Sequence, residues 1–378
     1  MSFKACWPMI VGVPKEIKKD EYRVALVPSG VAQMRRAGHT ILVQAGAGKA
    51  SVIEDREYAQ AGAEVAESAR EIYRRAQLIL KVKEPQHEEY PLLRPGQMVF
   101  TFFHFAANKQ LAKAMMKQKV TCIAYETVED VRGQLPILIP MSEVAGRMSV
   151  QEGAKYLEKP MKGKGILLGG IPGVAPASVL ILGAGVVGSN AAKVAAGLGA
   201  RVAVMDVNLD RLRYLEDIMP KNVWFLMSNE HNITDRVARA DLVICAALLR
   251  GARSPILIPR SMLKKMRPGS VIVDVAIDQG GCAETSRPTT HAAPVFVEEQ
   301  VVHYCVTNIP GAVAITSTYG LTNATLPFAM EIARRGFNKG LKTNPALMKG
   351  VNIARGKVTY EATARDLDLP YTPLSRVL

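Results

Sequence analysis

The chain has 378 residues, 48% of them hydrophobic, and carries 48 Lys and Arg against 34 Asp and Glu, a formal charge of +14. That length accommodates two domains with sizeable cores, and that composition excludes a disordered chain. No apolar run reaches the roughly 18 residues of a membrane span, and the basic excess is spread along the chain rather than gathered in an arm, which argues against a nucleic-acid partner.

The cysteines Cys6, Cys122, Cys245, Cys282 and Cys305 are scattered, with no CxxC and no histidine cluster at ligand spacing, so reduced thiols and no metal are expected. The opening MSFKACWPMI has too short an apolar segment for a signal peptide, and a cytoplasmic protein is the expectation. Met9–Val13 reads as a strand, and the charged stretch that follows, from Pro14, reads as a solvated loop. Arg23, just before the apolar run Val24–Val27, is either a guanidinium clamp for a carboxylate or an ordinary surface arginine. Ser29 is expected to cap a helix that stops at Gly38, and Thr40–Gln44 returns as a strand. Its turn AGAGK lacks phosphate-loop spacing, which leaves Lys49 a solvated residue.

Helices are expected at Asp55–Gly62 and Ser68–Ala76, then a strand over Gln77–Val82 with Lys83 at its exit. A lysine at the carboxyl end of a parallel strand stands where open α/β sheets bind ligands. Met98–Phe102 is the next strand and leads to His104, either a hydrogen-bonded core residue or a proton carrier that titrates near neutrality. A helix over Asn108–Lys119 and a strand over Val120–Tyr125 complete a first α/β unit. From Ser142, read as an N-cap, helical periodicity runs through SEVAGRMSVQEGAKYLEK, and the segment GKGILLGGIPGVAP delivers the chain to Val179.

There the chain reads VLILGAGVVGSNAAKVAAGLGARVAVMD. An apolar strand meets Gly183, Gly185 and Gly188 in G-x-G-x-x-G spacing, a helix runs over Val186–Leu198, and a second strand, Arg201–Met205, ends at Asp206. Gly183 permits the tight turn, Gly185 the approach of a pyrophosphate, and Gly188 the packing of helix on strand. A carboxylate at Asp206 accepts hydrogen bonds from ribose hydroxyls and repels a 2′-phosphate, so the expected cofactor is NAD. Further on, a helix is expected at Asn208–Asp217, strands at Trp224–Met227 and Asp241–Ala247, and a helix at Ser261–Met266. The strand Ser270–Val275 runs into AIDQGG, where Asp278 either orients an ammonium or a histidine or serves as a turn aspartate. Asn323–Phe337 reads as a long helix returning to the first unit.

Taken together, PKE with RVA, KVKEP, FTFFHFA, AYETV, PMSEVAGR, GGIPGV and AIDQGG resemble the bacterial L-alanine dehydrogenase family along nearly the whole chain; the related transhydrogenase α subunit shares only the general plan. The resemblance implies an α/β protein of two Rossmann-like doubly wound domains, a discontinuous catalytic domain from residues 1–136 and 311–378 and a central NAD-binding domain from 137–310. It implies reversible oxidation of L-alanine with NAD to pyruvate and ammonium, usually by a homohexamer. Arg23 would bind the substrate carboxylate and Lys83 its carbonyl oxygen, with His104 as acid/base and Asp278 as its acidic partner. Around NAD it would place Ser142, Gly183, Gly185, Val186, Val187, Gly188, Asp206, Arg211, Ser228, Ala247, Leu248, Val275, Asp278, Arg287 and Asn308. The chain departs from the family at Ile309, usually methionine, at Ala314, usually proline, and at LLRGAR near Leu249–Arg253, usually VPGAK. The alternatives are an NAD(H)-binding transhydrogenase-type subunit and a non-catalytic NAD sensor.

Overall fold

The computed structural model describes residues 8–247 and 254–377 of the chain. The chain divides into two compact units, one from residues up to Met141 and from Val313 onward, the other from Ser142–Ala312.

In the first unit the order is β1 (Ile10–Val13), α1 (Pro28–Arg36), β2 (Thr40–Gln44), α2 (Asp55–Gln60), β3 (Glu64–Ala66), α3 (Ala69–Arg75), β4 (Leu78–Leu80), β5 (Met98–Thr101), α4 (Lys109–Gln118) and β6 (Thr121–Ala124). Strands β1 to β6 pair in parallel in the order β3-β2-β1-β4-β5-β6, the doubly wound arrangement. Helices cover both faces, so β4, β5 and β6 are buried at every position, and an unbroken apolar run is the pattern that fits such strands. Phe100 and Tyr125 meet edge to face with ring centres 4.4 Å apart, an arrangement that stabilises by about 1 kcal/mol beyond area burial.

Helix α5 (Leu138–Tyr156) follows, and the division between the units falls inside it, between Met141 and Ser142. The second unit then runs through β7 (Ser178–Leu182), α6 (Val186–Gly197), β8 (Arg201–Asp206), α7 (Leu209–Ile218), β9 (Val223–Met227), α8 (Glu230–Arg239), β10 (Leu242–Cys245), α9 (Arg260–Leu263), β11 (Val271–Asp274), β12 (Val295–Glu298) and β13 (Val301–Tyr304). Its sheet repeats the plan of the first, β9-β8-β7-β10-β11-β13, with β12 added antiparallel at the edge.

The chain finishes in the first unit with α10 (Ala314–Thr343), α11 (Pro345–Gly350), β14 (Val351–Ala354), β15 (Lys357–Val358) and α12 (Glu361–Leu367). Strand β14 joins β6 antiparallel and extends that sheet to eight strands. Helix α10 starts nine residues before its expected beginning at Asn323 and breaks its helical path at Gly336, where φ is 66° and ψ 179°.

Three sequence expectations are corrected here. Ser29 lies inside α1, whose N-cap is Val27, because Pro28 already supplies the first helical residue. Ser142 likewise lies inside α5, which begins at Leu138. The charged stretch after β1 is not uniformly solvated: Glu16 and Glu21 are both buried. Strands β3, β12, β13, β14 and β15 and helices α8, α11 and α12 have no counterpart in the sequence reading; β3 and β12 are short edge strands whose exposed positions dilute the apolar pattern.

Candidate active site

In the first unit, the strand exits gather charge. Beyond β4, Lys81 is wholly buried, with Nζ 3.1 Å from Glu16 Oε2 and 2.9 Å from Glu89 Oε1. Glu89 also accepts from Tyr73 Oη at 2.8 Å and from the Gln86 N–H at 2.8 Å, while Glu16 Oε1 accepts the Val82 N–H at 2.6 Å. Two carboxylates thus face one ammonium in the interior. Burial raises the Glu16 carboxyl to about 7, against the pull of Lys81, with Glu89 and Glu21 adding to the rise. This network grips the backbone immediately before Lys83, which is itself buried.

Arg23 is 3% exposed, so the surface-arginine reading does not hold. Its Nε donates to Glu21 Oε1 at 2.6 Å and its Nη2 to Glu21 Oε2 at 2.5 Å, a two-pronged pair; Nη1 lies 3.0 Å from Met141 Sδ. Burial alone would push the Glu21 carboxyl up, but Arg23, with Lys83 behind it, holds it below the usual carboxylate range.

His104 sits at the exit of β5 in the left-handed region, with φ 51° and ψ 44°. Such a backbone costs on the order of 1–3 kcal/mol for a residue with a Cβ and persists only where its surroundings hold it. The half-buried Glu126 does so, accepting the His104 N–H at 2.6 Å and the Phe103 N–H at 3.2 Å. The imidazole stacks parallel to Phe102 at 5.6 Å. Surrounding protein first, then Lys83, Lys18 and Arg23, press its proton affinity below the ordinary histidine value. The side chain keeps an exposed edge, so solvent tempers that depression, and its direction gives a neutral ring at neutral pH. Arg23, Lys83 and His104 therefore share one electrostatic neighbourhood: two cations beside a neutral base suit an anionic substrate that must give up a proton.

In the second unit, the glycines have the steric roles their spacing implies. A Cβ on Gly183, where φ is 108°, would lie 2.6 Å from Ala246 O, and one on Gly188 would lie 1.8 Å from Gly183 O. At Gly185, the N-cap of α6, an added Cβ meets nothing within 4 Å: the space in front of the helix N-terminus is open, as a pyrophosphate requires. Asp206 Oδ2 accepts the Ala184 N–H at 2.6 Å and Oδ1 the Asn208 N–H at 2.8 Å, while Arg211 Nε donates to Ala184 O at 2.8 Å. Both side chains thus clamp the middle of the glycine turn, and each Asp206 oxygen retains capacity for another donor, such as a ribose hydroxyl.

Val186 and Val187 open α6 half-buried, and α5 closes on them, since a Cβ on Gly146 would lie 2.3 Å from Val187 O; Ser142 is one turn earlier. Ser228 follows β9 and donates its N–H to Asp206 O at 3.0 Å; Ala247 follows β10 and Val275 follows β11. Asp278 is exposed on a short turn after β11. The guanidinium of Arg287 lies 4.1 Å from the centre of the Phe296 ring on edge strand β12. Asn308 has φ 62°, and its carbonyl lies 3.2 Å from His291 Nε2. Leu248 and the LLRGAR segment lie outside the described residues. Glu21, Glu126 and the Lys81 network were missed in the sequence reading; Glu126 lies within the AYETV motif but carries no spacing signal of its own.

Similarity to known proteins agrees with this geometry. Residues 12–145 match the family described as alanine dehydrogenase/PNT, N-terminal domain, and residues 149–361 match its C-terminal domain. An alanine dehydrogenase from Methanococcus maripaludis is 54% identical over 371 residues, covering 98% of this chain and 100% of that protein. A solved L-alanine dehydrogenase superposes with TM-score 0.92 at 48% identity, over 95% of this chain and 99% of that one. A transhydrogenase from Sinorhizobium meliloti superposes with TM-score 0.79 at 28% identity, over 93% of this chain and 99% of that one.

Proposed function

The chain belongs to the alanine dehydrogenase/PNT family, and from that premise we propose how its own residues carry the oxidation of L-alanine to pyruvate and ammonium. The observation that carries the reading is the gathering of Arg23, Lys83 and His104 at the strand exits of the first unit. Arg23, one edge held by Glu21, binds the substrate carboxylate, and Lys83 stabilises charge on the carbonyl oxygen. Neutral His104 accepts and returns protons as the imine takes up water and the carbinolamine releases ammonia. The family resemblance gives Asp278, in the second unit, the role of a catalytic acid. The first unit is the substrate domain, and the second is the cofactor domain.

The cofactor is NAD, and when bound it supplies the nicotinamide C4 that takes the hydride from alanine Cα. Gly183, Gly185, Gly188, Val186 and Val187 hold its pyrophosphate on the α6 N-terminus, and Asp206 its adenosine ribose. Ser142, Arg211, Ser228, Ala247, Leu248, Val275, Arg287 and Asn308 complete its surroundings. By the same resemblance the protein is a cytoplasmic homohexamer; among the described residues no helix is long and apolar enough to cross a membrane.

The test is NADH formation from L-alanine by the purified chain alone. His104→Ala should lower turnover by about 10²- to 10⁴-fold while leaving NADH binding intact. Unchanged turnover would remove His104 from the mechanism, and no NADH from folded wild-type protein would refute the activity.

A further inference from the structure

At the carboxyl end of the second sheet, three potential ligands converge. Cys245 closes β10 and Asp274 closes β11, and they are partners on one rung, where Cys245 also faces Leu182, the residue before Gly183. After β11 the chain turns through Gly280 and Gly281, with φ 99° and 79°, and brings Cys282 back so that its N–H donates to Asp274 Oδ2 at 2.8 Å. The two thiol sulfurs and a carboxylate oxygen of Asp274 lie within 4.8 Å of one another, and all three residues are buried. Residues far apart in sequence thus meet because two strand ends and a glycine turn coincide.

The chemistry of the set selects its ligand. Asp274 Oδ2 accepts from Cys282 N, Ala283 N and Ser286 Oγ, whereas among the described bonds Oδ1 accepts from Ala276 N at 3.1 Å, leaving room for a further partner. Two sulfurs and one oxygen suit a borderline-soft divalent ion and not Mg²⁺ or Ca²⁺, which require oxygen shells. Binding replaces two S–H protons by two metal–sulfur bonds and releases two H⁺ to solvent.

We propose that Cys245, Cys282 and Asp274 form a site for a thiophilic divalent cation of the zinc class, and that filling it weakens dinucleotide binding. The coupling is local. Cys282 Sγ donates to Ala247 O at 3.3 Å, and a metal–sulfur bond removes that donor. The neighbouring Ala246 donates its N–H to Leu182 O at 2.8 Å, and its carbonyl packs so close to Gly183 that no Cβ fits. A shift of this rung therefore displaces the glycine turn. This coupling rests on the reading of that turn as the cofactor seat; the metal site itself does not.

The full-length protein, freed of metal, is titrated with Co²⁺ alone and then with Zn²⁺. A thiolate-to-cobalt charge-transfer band at one equivalent, displaced by Zn²⁺, is expected. Cys282→Ala should lose the band and at least about 100-fold in Zn²⁺ affinity, beyond the loss of an outer-shell partner; because it also removes the donor to Ala247, its own NADH affinity in metal-free buffer is the baseline for the zinc comparison. Cys245→Ser serves the same purpose should the first variant not fold. Zn²⁺ should raise the NADH dissociation constant at least about tenfold in wild type, about 1.4 kcal/mol, and leave it unchanged in Cys282→Ala. Absence of the band, or its persistence in both variants, overturns the site; a filled site with unchanged NADH affinity overturns the coupling. Failure of the metal-free protein to bind NADH would instead refute the cofactor reading, leaving the cobalt band to judge the site.

Discussion

Replacing Lys81 by Met tests whether the buried cation organises the wall behind Lys83. The side chain is wholly buried between Glu16 and Glu89, and methionine, one heavy atom shorter, keeps most of its apolar stem while removing its charge. The Val82, Tyr73 and Gln86 bonds to the two carboxylates would survive, so the change isolates the uncompensated anions. Breaking one partner out of a buried pair typically costs about 3–5 kcal/mol, a large share of the roughly 5–15 kcal/mol that stabilises a domain. In wild type, the Glu16 carboxyl is raised from 4.5 to about 7, so the folded state binds that proton more tightly than the unfolded state. The stability this group contributes is present below the unfolded value and is lost as pH rises through about 7. In Lys81→Met the carboxylates lose the cation that favours their ionised forms, so the loss of stability should be larger at pH 8 than at pH 6. Denaturant unfolding at both pH values, read by circular dichroism, provides the measurement. Adding Glu16→Gln to the variant should recover part of the loss at pH 8. A cost below about 1 kcal/mol at both pH values would refute the reasoning, as would a cost independent of pH.

Three further outcomes follow from the same geometry. Gly188→Ala sets a Cβ 1.8 Å from Gly183 O and should disrupt the turn, lowering both melting temperature and NADH affinity, whereas Gly185→Ala meets open space and should weaken NADH binding with the melting temperature kept; equal melting losses in both would contradict the distinction. Glu21→Gln removes the charge that orients Arg23 and should raise the alanine KM about 10- to 100-fold, the equivalent of one charged hydrogen bond, with kcat much less affected; a fall in kcat at constant KM would place Glu21 in the chemical step instead. Asp206→Ala leaves the Ala184 and Asn208 N–H groups without their acceptor, which should lower stability by about 1–3 kcal/mol and narrow the preference for NAD over NADP. An unchanged cofactor preference in steady-state kinetics would deny Asp206 its role at the ribose.

Much of the frame was legible before any coordinates. Strand β2 lies where its sequence pattern places it, and α6 and β8 agree to within a residue at each end, because a covered parallel strand, a glycine turn and an alanine-rich helix are local patterns. The exits of β4 and β5 point to Lys83 and His104 for the same reason: ligand-facing positions follow strand ends. Edge elements were less legible. Strand β12 alternates poorly because one side faces water, and β14 pairs antiparallel with β6 although more than 200 residues separate them.

The sequence by itself determined the two alternating α/β patterns, the steric demand for glycine at the turn, and the acid that follows the second strand of that motif. Only the tertiary structure decided which charges leave water. Hydropathy counts Glu16, Glu21 and Lys81 as surface residues, and each becomes an interior group because a specific partner meets it there. The same holds for Cys245, Asp274 and Cys282, whose convergence depends on strand register and a left-handed glycine turn. A buried charge or a ligand set is a property of distances between segments, and those distances exist only once the sheets have assembled.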